Sequence, residues 1–223
     1  MARESADFSA LTCSPCLFPW QTSAVQWVAP PVGGHALDVC CGSGDLALRL
    51  AQAVGPNGCV TALDFAEAQL ARAATREEEL LSTDATDRCR ISWMPGDAQK
   101  LPFESDAFDG ATCGYGLRNV LDARACLAEL HRVLRPGARL AVLDFNKSSD
   151  VVTTGIQSAF LDLLVVPVAT AAGAADEYRY LKGSIAAYYT GRELEQMARD
   201  AGFSRATFYE LTGALMGCLV AQK

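Results

Sequence analysis

Histidine is nearly missing from this chain: His35 and His131 are the only two in 223 residues. That removes the usual imidazole general base and the commonest nitrogen ligand of a metal site. Cys13 and Cys16 form one CxxC pair, but no second ligand pair exists to complete a zinc centre, so no metal is expected. Lysine and arginine never form a run, and the net charge is −7 with a pI near 4.9. Nucleic acid and anionic lipid are poor electrostatic partners for such a surface. The longest apolar stretch, Ile156 to Ala175, contains Asp162 and Pro167 and reads as a buried or lid helix, not a membrane span. The N-terminal segment carries Glu4 and Asp7 against one arginine, a composition unlike a signal or transit peptide. Internal repeats and low-complexity segments are also lacking.

Cysteine, in contrast, is abundant. The count of nine is odd and the spacing irregular, which argues against a disulfide framework and for a reducing compartment. Cys40, Cys41, Cys59, Cys113, Cys126 and Cys218 lie in apolar segments, where the thiol acts as a small hydrophobe. With 50% apolar and 20% charged residues, the composition is that of a soluble globular protein. The length suits one domain over residues 20–223, preceded by an irregular segment over residues 1–19.

Ala36 to Asp45, ALDVCCGSGD, organises the chain. A short buried strand runs into the turn Gly42-Ser43-Gly44, which opens an amphipathic helix over Asp45 to Val54. Glycine permits positive φ and close backbone approach, and a helix N-terminus offers free N–H groups to a polar ligand. Ahead of it, Gln21 to Ala29 reads as a short helix stopped by Pro30-Pro31. Behind it come strands over Cys59–Asp64, Arg90–Met94, Phe108–Cys113 and Ala138–Phe145. They alternate with helices over Glu67–Leu81 and Ala123–Leu134, the second ended by Arg135-Pro-Gly137. Alternating short buried strands and helices predict a parallel sheet covered on both faces. The last helix, Gly191 to Ala201, leads to strands over Ser204–Glu210 and Ala214–Gln222, joined by a short turn as an antiparallel hairpin. The expectation is an α/β, Rossmann-like fold with a seven-stranded, mostly parallel sheet.

Ligands in such sheets bind beyond the carboxyl ends of the strands. Gly42 to Asp45, Asp64, Asp97, Gly114 to Asn119 and Asp144 all fall there, which predicts one shared cleft. The glycine turn with Asp64 twenty residues after Gly44 suits nicotinamide and S-adenosylmethionine (AdoMet) alike, with Asp64 on ribose hydroxyls or merely capping the next helix. The acid in Gly96-Asp97-Ala98 favours AdoMet, since a carboxylate and a backbone amide can meet adenine. It also suits an ordinary turn.

Five motifs then occur in order: LDVCCGSGDLA (Leu37 to Ala47), GDAQKLPF (Gly96 to Phe103), Gly116-Leu-Arg-Asn119, RVLRPG (Arg132 to Gly137) and YRYLKGSI (Tyr178 to Ile185). Together they resemble the MenG/UbiE family of quinone C-methyltransferases over roughly residues 20 to 223. GYGLRNV, LDFNKS, VVPVAT and MGCLVA are more similar still to its plant and algal chloroplast branch, which methylates a 2-phytyl-1,4-naphthoquinone precursor in phylloquinone (vitamin K1) biosynthesis. The resemblance implies a class I AdoMet-dependent methyltransferase with the terminal hairpin characteristic of that class. It implies an AdoMet site of Asp38, Gly42, Ser43, Gly44, Asp64, Asp97, Ala98 and Gly114. Many bacterial members have a serine where this chain has Gly114, so contact there falls to the backbone.

An oxidised quinone is electrophilic and cannot accept a methyl cation equivalent, so the substrate is the quinol. Its ring carbon gains nucleophilicity as phenolate, and a phenol titrates near pH ~10. Arg118 is the candidate cation that favours the anion, or else a structural ion-pair partner. Asn119 is the candidate that orients a hydroxyl or a water. Phe160, Leu161, Leu163, Leu164, Val165 and Val168 are a tail groove or simply core, and Tyr115 is read as core. A prenylated naphthoquinol implies an upstream quinone reductase, peripheral hydrophobic membrane contact without a span, and a chloroplast location. The alternatives are a ubiquinone- or menaquinone-type quinol and a non-catalytic AdoMet-binding subunit. Family members carry a longer N-terminal lid pattern than residues 1–19 show. The chain has either lost that lid or is an incomplete version.

Overall fold

A computed structural model describes residues 20–84, 87–148, 155 and 183–223. The order is α1 (Trp20–Val28), β1 (His35–Val39), α2 (Asp45–Val54), β2 (Cys59–Asp64), α3 (Glu67–Asp84), β3 (Ile91–Pro95), β4 (Phe108–Gly114), a 3-10 turn (Leu117–Asn119), α4 (Ala123–Val133), β5 (Leu134–Phe145), α5 (Gly191–Asp200), β6 (Arg205–Leu211) and β7 (Met216–Gln222). The segment 1–19, with Cys13 and Cys16, lies outside the described residues. So do the apolar helix expected over 153–175, the tail-groove candidates Phe160 to Val168, and Tyr178 to Lys182.

The strands form one seven-stranded sheet in the order β3-β2-β1-β4-β5-β7-β6. β1 to β5 pair in parallel, and β7 runs antiparallel to both β5 and β6. The chain order reverses direction between β1 and β4, so the carboxyl ends of these two central strands border a crevice. Because strand side chains alternate, the sheet divides its residues between two cores. Leu37 and Val39 of β1 join Cys113 of β4, Val142 of β5 and the inner faces of α4 and α5. Ala36 joins Leu143 of β5 and the inner faces of α1 and α2.

The helices end where local chemistry dictates. In α2, Leu46, Ala47, Leu50, Ala51 and Val54 are buried on one stripe, and Gly55 stops the helix at positive φ. Asp122 caps α4 by accepting hydrogen bonds from the Arg124 and Ala125 backbone N–H groups. Thr190 and Glu193 form a reciprocal capping box on α5. Two expectations are corrected. Arg135-Pro-Gly137 was expected to separate helix from strand, but β5 already starts at Leu134, paired with Phe108. The pairing then jumps to Gly110 with Arg139, so the three residues bulge out of a strand instead of preceding it. Cys59, expected among the buried thiols, is exposed at the start of β2, while Cys41, Cys113, Cys126 and Cys218 are buried.

Candidate active site

The glycine turn is built by backbone conformation. Gly42 and Gly44 sit at φ of 51° and 86°, in the left-handed region that glycine enters without strain. A side chain at Gly44 would meet the Trp93 ring at 2.5 Å, whereas one at Gly42 would meet nothing within 4 Å. Gly42 therefore faces open space and Gly44 faces packed ring. Trp93 is held there by its indole N–H bond to Glu77 at 2.7 Å, and Glu77 also accepts from the Ile91 backbone at 2.9 Å. Arg76 ties the turn to α3 through Asp45 at 2.7 Å.

Asp64, at the end of β2, accepts from the Gly42 N–H with one oxygen and from the Ala66 N–H with the other, each at 2.8 Å. It thus orders the glycine turn and caps the start of α3 at once, and each oxygen keeps a second lone pair for a ligand. Asp97 stands exposed at the turn after β3, where its carboxylate accepts from the Gln99 backbone at 2.8 Å, and Ala98 beside it is buried. Ser43 follows Gly42 on the same rim, half-buried. Gly114 ends β4 against α2, where a Cβ would lie 2.6 Å from Leu46 Cδ1. The bare backbone at Gly114 is therefore a packing requirement.

Asp38 lies deeper, only 1% exposed, one residue before the end of β1. Thr112 on the adjacent strand donates its hydroxyl to Oδ1 at 2.7 Å, and Oδ2 is buried without a partner. Burial pushes its carboxyl up to about 7, opposed by the Thr112 hydroxyl and the Ala47 backbone N–H. An open glycine turn, an unsatisfied buried carboxylate and two further acids at strand ends fit a ligand that carries positive charge, hydroxyls and an amine. AdoMet has all three.

The second half of the cleft begins where β4 ends. Tyr115 takes φ of 57°, unusual for a bulky residue, and so turns the chain into the 3-10 turn. Its ring packs on Phe145 at 5.8 Å, as core. Arg118 bends back into the protein. Its guanidinium donates to the Tyr115 carbonyl at 2.9 Å, ion-pairs with Asp144 at the end of β5, and lies 5.3 Å over the Phe145 ring. Both side chains of the pair are buried, at 3% and 4% exposure. Burial holds the Asp144 carboxyl above its ordinary range, with the Arg118 charge opposing. Asn119 is exposed and donates to the same Tyr115 carbonyl at 3.3 Å. Among the described residues, a cavity of about 480 Å³ is lined by Leu117, Arg118 and Val120 on one side and by Gly183, Ser184, Ala187, Tyr188 and Tyr189 on the other.

Asp38 to Gly44, Asp64, Asp97, Ala98, Gly114 and Arg118 thus gather at the carboxyl edge of one sheet. Arg118 lines the cavity, and Asn119 does not. A reading of the sequence places Asp144 at the strand ends but does not pair it with Arg118, and it does not single out Trp93 beneath Gly44 or Tyr188. The strand-end position of Asp144 is visible in the sequence. The roles of Trp93 and Tyr188 depend on packing between distant segments. Both histidines sit away from this edge: His35 begins β1 and packs at a tilt against Phe108, and His131 lies late in α4 against Phe203.

Residues 18–223 match the ubiE/COQ5 methyltransferase family. The chain belongs to this family. A chloroplastic 2-phytyl-1,4-beta-naphthoquinone methyltransferase of Arabidopsis thaliana is 50% identical over 204 residues, covering 92% of this chain and 77% of the relative. A 2-phytyl-1,4-naphtoquinone methyltransferase of Nostoc punctiforme is 44% identical over 204 residues, covering 92% and 86%. Among solved structures, a SAM-dependent methyltransferase from Aquifex aeolicus superposes with a TM-score of 0.64 at 20% identity, covering 96% of this chain and 93% of that one. The phosphoethanolamine N-methyltransferase 2 of Haemonchus contortus, in complex with S-adenosyl-L-methionine, gives 0.66 at 14%, covering 92% and 52%. These structures show the fold, that of class I methyltransferases. The cofactor of this methyltransferase is AdoMet.

Proposed function

We propose that this methyltransferase C-methylates 2-phytyl-1,4-naphthoquinol in phylloquinone biosynthesis. The observation that carries the substrate is that relatives 50% and 44% identical, from a plant and a cyanobacterium, are both named for it. When bound, AdoMet supplies an electrophilic methyl group on a sulfonium. The protein's own part is to hold the donor, align the acceptor and exclude water. In this reading Gly42, Ser43 and Gly44 offer backbone to the donor. Asp64 takes ribose hydroxyls with its remaining lone pairs, Asp97 and Ala98 meet adenine, and Asp38 faces the cationic end.

The quinol ring occupies the cavity beside Arg118. Arg118 favours loss of the quinol hydroxyl proton to water, and the phenolate left behind carries more electron density at the neighbouring ring carbon. Asn119 holds the Tyr115 carbonyl and with it the loop that carries Arg118. We assign the protein to the chloroplast, as the name of the Arabidopsis relative suggests. A quinone reductase upstream keeps the substrate reduced, and the prenyl tail is drawn from a membrane surface. None of the helices among the described residues is long and apolar enough to cross a membrane.

The test is transfer of labelled methyl from AdoMet to phytyl-naphthoquinone, offered reduced and oxidised. Only the reduced form should react. Equal reaction of the oxidised form would reject the quinol mechanism. A preference for a benzoquinol would move the substrate class, and AdoMet binding without transfer to any reduced prenylquinone would leave only a binding subunit.

A further inference from the structure

The glycine turn has an open side and a packed side. A Cβ placed on Gly42 meets nothing within 4 Å, whereas one placed on Gly44 would stand 2.5 Å from Trp93 Cη2 and 3.1 Å from its Cζ3. The Ala73 methyl of α3 lies 3.3 Å from the same point. Ring and methyl together form a floor directly under the Gly44 backbone.

Glu77 fixes that floor. Its side chain is buried, and both carboxylate oxygens are taken: Oε2 by the Trp93 indole N–H at 2.7 Å and Oε1 by the Ile91 backbone N–H at 2.9 Å. Burying a carboxylate is costly, and these two donors offset the lost hydration. One bond pins the start of β3. The other holds the indole at its nitrogen while the far edge of the ring bears on Gly44. The rest of the turn is held as well. Gly42 donates to Asp64 at 2.8 Å, Gly44 donates to the Cys41 carbonyl at 2.9 Å, and Arg76 donates to the Ser43 carbonyl at 3.4 Å. A backbone that must present N–H groups to a ligand binds well only if those groups are already aimed.

We infer that Trp93 is a positioning residue for the methyl donor: tethered by Glu77, it holds the Gly42–Gly44 backbone in its ligand-ready shape and acts through Gly44, not by touching AdoMet. The inference rests on the reading that this turn holds AdoMet, and it is independent of the identity of the acceptor.

Trp93→Phe and Glu77→Gln test it. Phenylalanine keeps a ring but loses the indole N–H and the reach under Gly44. Glutamine keeps the size of Glu77 but sets an amide NH₂ against one of two N–H donors. In each variant Kd and KM for AdoMet should rise roughly tenfold, the loss of one hydrogen bond to a charged group. At saturating AdoMet, kcat and the KM for a reduced prenylated naphthoquinol should not change. The double variant should bind AdoMet no worse than the weaker single variant, since both act through one ring. Trp27→Phe is the structural control. It trims a ring stacked on Tyr209 of β6, at the other end of the sheet from β3, and should leave AdoMet affinity unchanged. In the ligand-free wild type, hydrogen exchange should already find the Gly42 and Gly44 amides protected. Fast exchange there, unchanged AdoMet affinity in both variants, or an equal loss in Trp27→Phe would overturn the assignment. So would a loss of quinol KM as large as that of AdoMet, which would mark general loosening. Gly42→Ala separates the two levels, because it puts a methyl on the open side. If that variant binds AdoMet normally, the turn is not the donor site; if it alone binds weakly, the turn stands as the donor site and only Trp93 is rejected.

Discussion

A carboxylate cut off from water holds its proton to higher pH, and Asp38 is such a group. Its carboxyl titrates at about 7 in the folded chain, against 3.8 for the ordinary side chain. Between those values the folded state binds more protons than the unfolded state, so stability falls as pH rises through the window. Ligand-free protein should therefore lose stability from pH 4 towards about 7 on account of Asp38, and Asp38→Asn should remove that part of the slope. Asparagine keeps an oxygen for Thr112, so the bond between the strands survives. A cationic ligand favours the charged form, and AdoMet affinity should rise as pH passes through about 7 in the wild type and stay flat in the variant. Calorimetric titration at several pH values reads this directly, and an identical slope in both proteins would remove Asp38 from the site. Single residues were legible where a motif carried them. The structure places the glycines, Asp64 and Asp97 at the strand ends that their spacing marks, while Arg118 was singled out by the resemblance at Gly116 to Asn119. Tyr188 was not, because its meeting with Arg118 joins segments 70 positions apart and leaves no local signal.

Elements were read more successfully than residues, since burial periodicity needs no long-range information. The bounds of β2 and α2 come directly from apolar runs bracketed by Gly55-Pro-Asn-Gly58 and by the glycine turn. The bulge of β5 escaped, because proline and glycine after a helix signal a stop whether or not the chain is already paired. The start of α5 matters more for the site. Thr190 accepts from the Glu193 backbone, Glu193 accepts from the Thr190 N–H at 2.7 Å, and Thr190 bridges to Lys147 beside β5. The cavity wall of Gly183 to Tyr189 is attached to the sheet at this point. Thr190→Ala removes the cap and should cost about 1 kcal/mol of stability. It should also raise KM for the quinol while leaving AdoMet affinity intact, because the loosened segment borders the cavity proposed for the quinol. Chemical denaturation and the two binding measurements check the separation. Equal weakening of both ligands would mean that the wall and the glycine turn move as one unit.

At the scale of the whole molecule, the sheet has a working edge and a structural edge, and its exposed apolar residues can be sorted between them. Leu121 is 97% exposed and follows Val120 of the cavity rim, at the carboxyl edge of β4. Val32 is 83% exposed and precedes β1, at the opposite edge. A net charge of −7 repels anionic lipid, so contact with a membrane that holds a prenylated substrate must come from apolar side chains and not from charge. In the proposed function the cavity mouth faces the membrane, and Leu121 is placed to make that contact. Leu121→Asp should therefore reduce co-flotation with quinol-loaded neutral vesicles and slow turnover of vesicle-borne quinol. Turnover of a short-tailed, soluble quinol should be unaffected. Val32→Asp, the same change on the far edge, should alter neither. Raising salt should not release the wild type from neutral vesicles, because screening acts on charge and leaves apolar burial in place. If salt did release it, or if both substitutions acted alike, the contact would be electrostatic or undirected, and the cavity mouth would not be the face that meets the membrane.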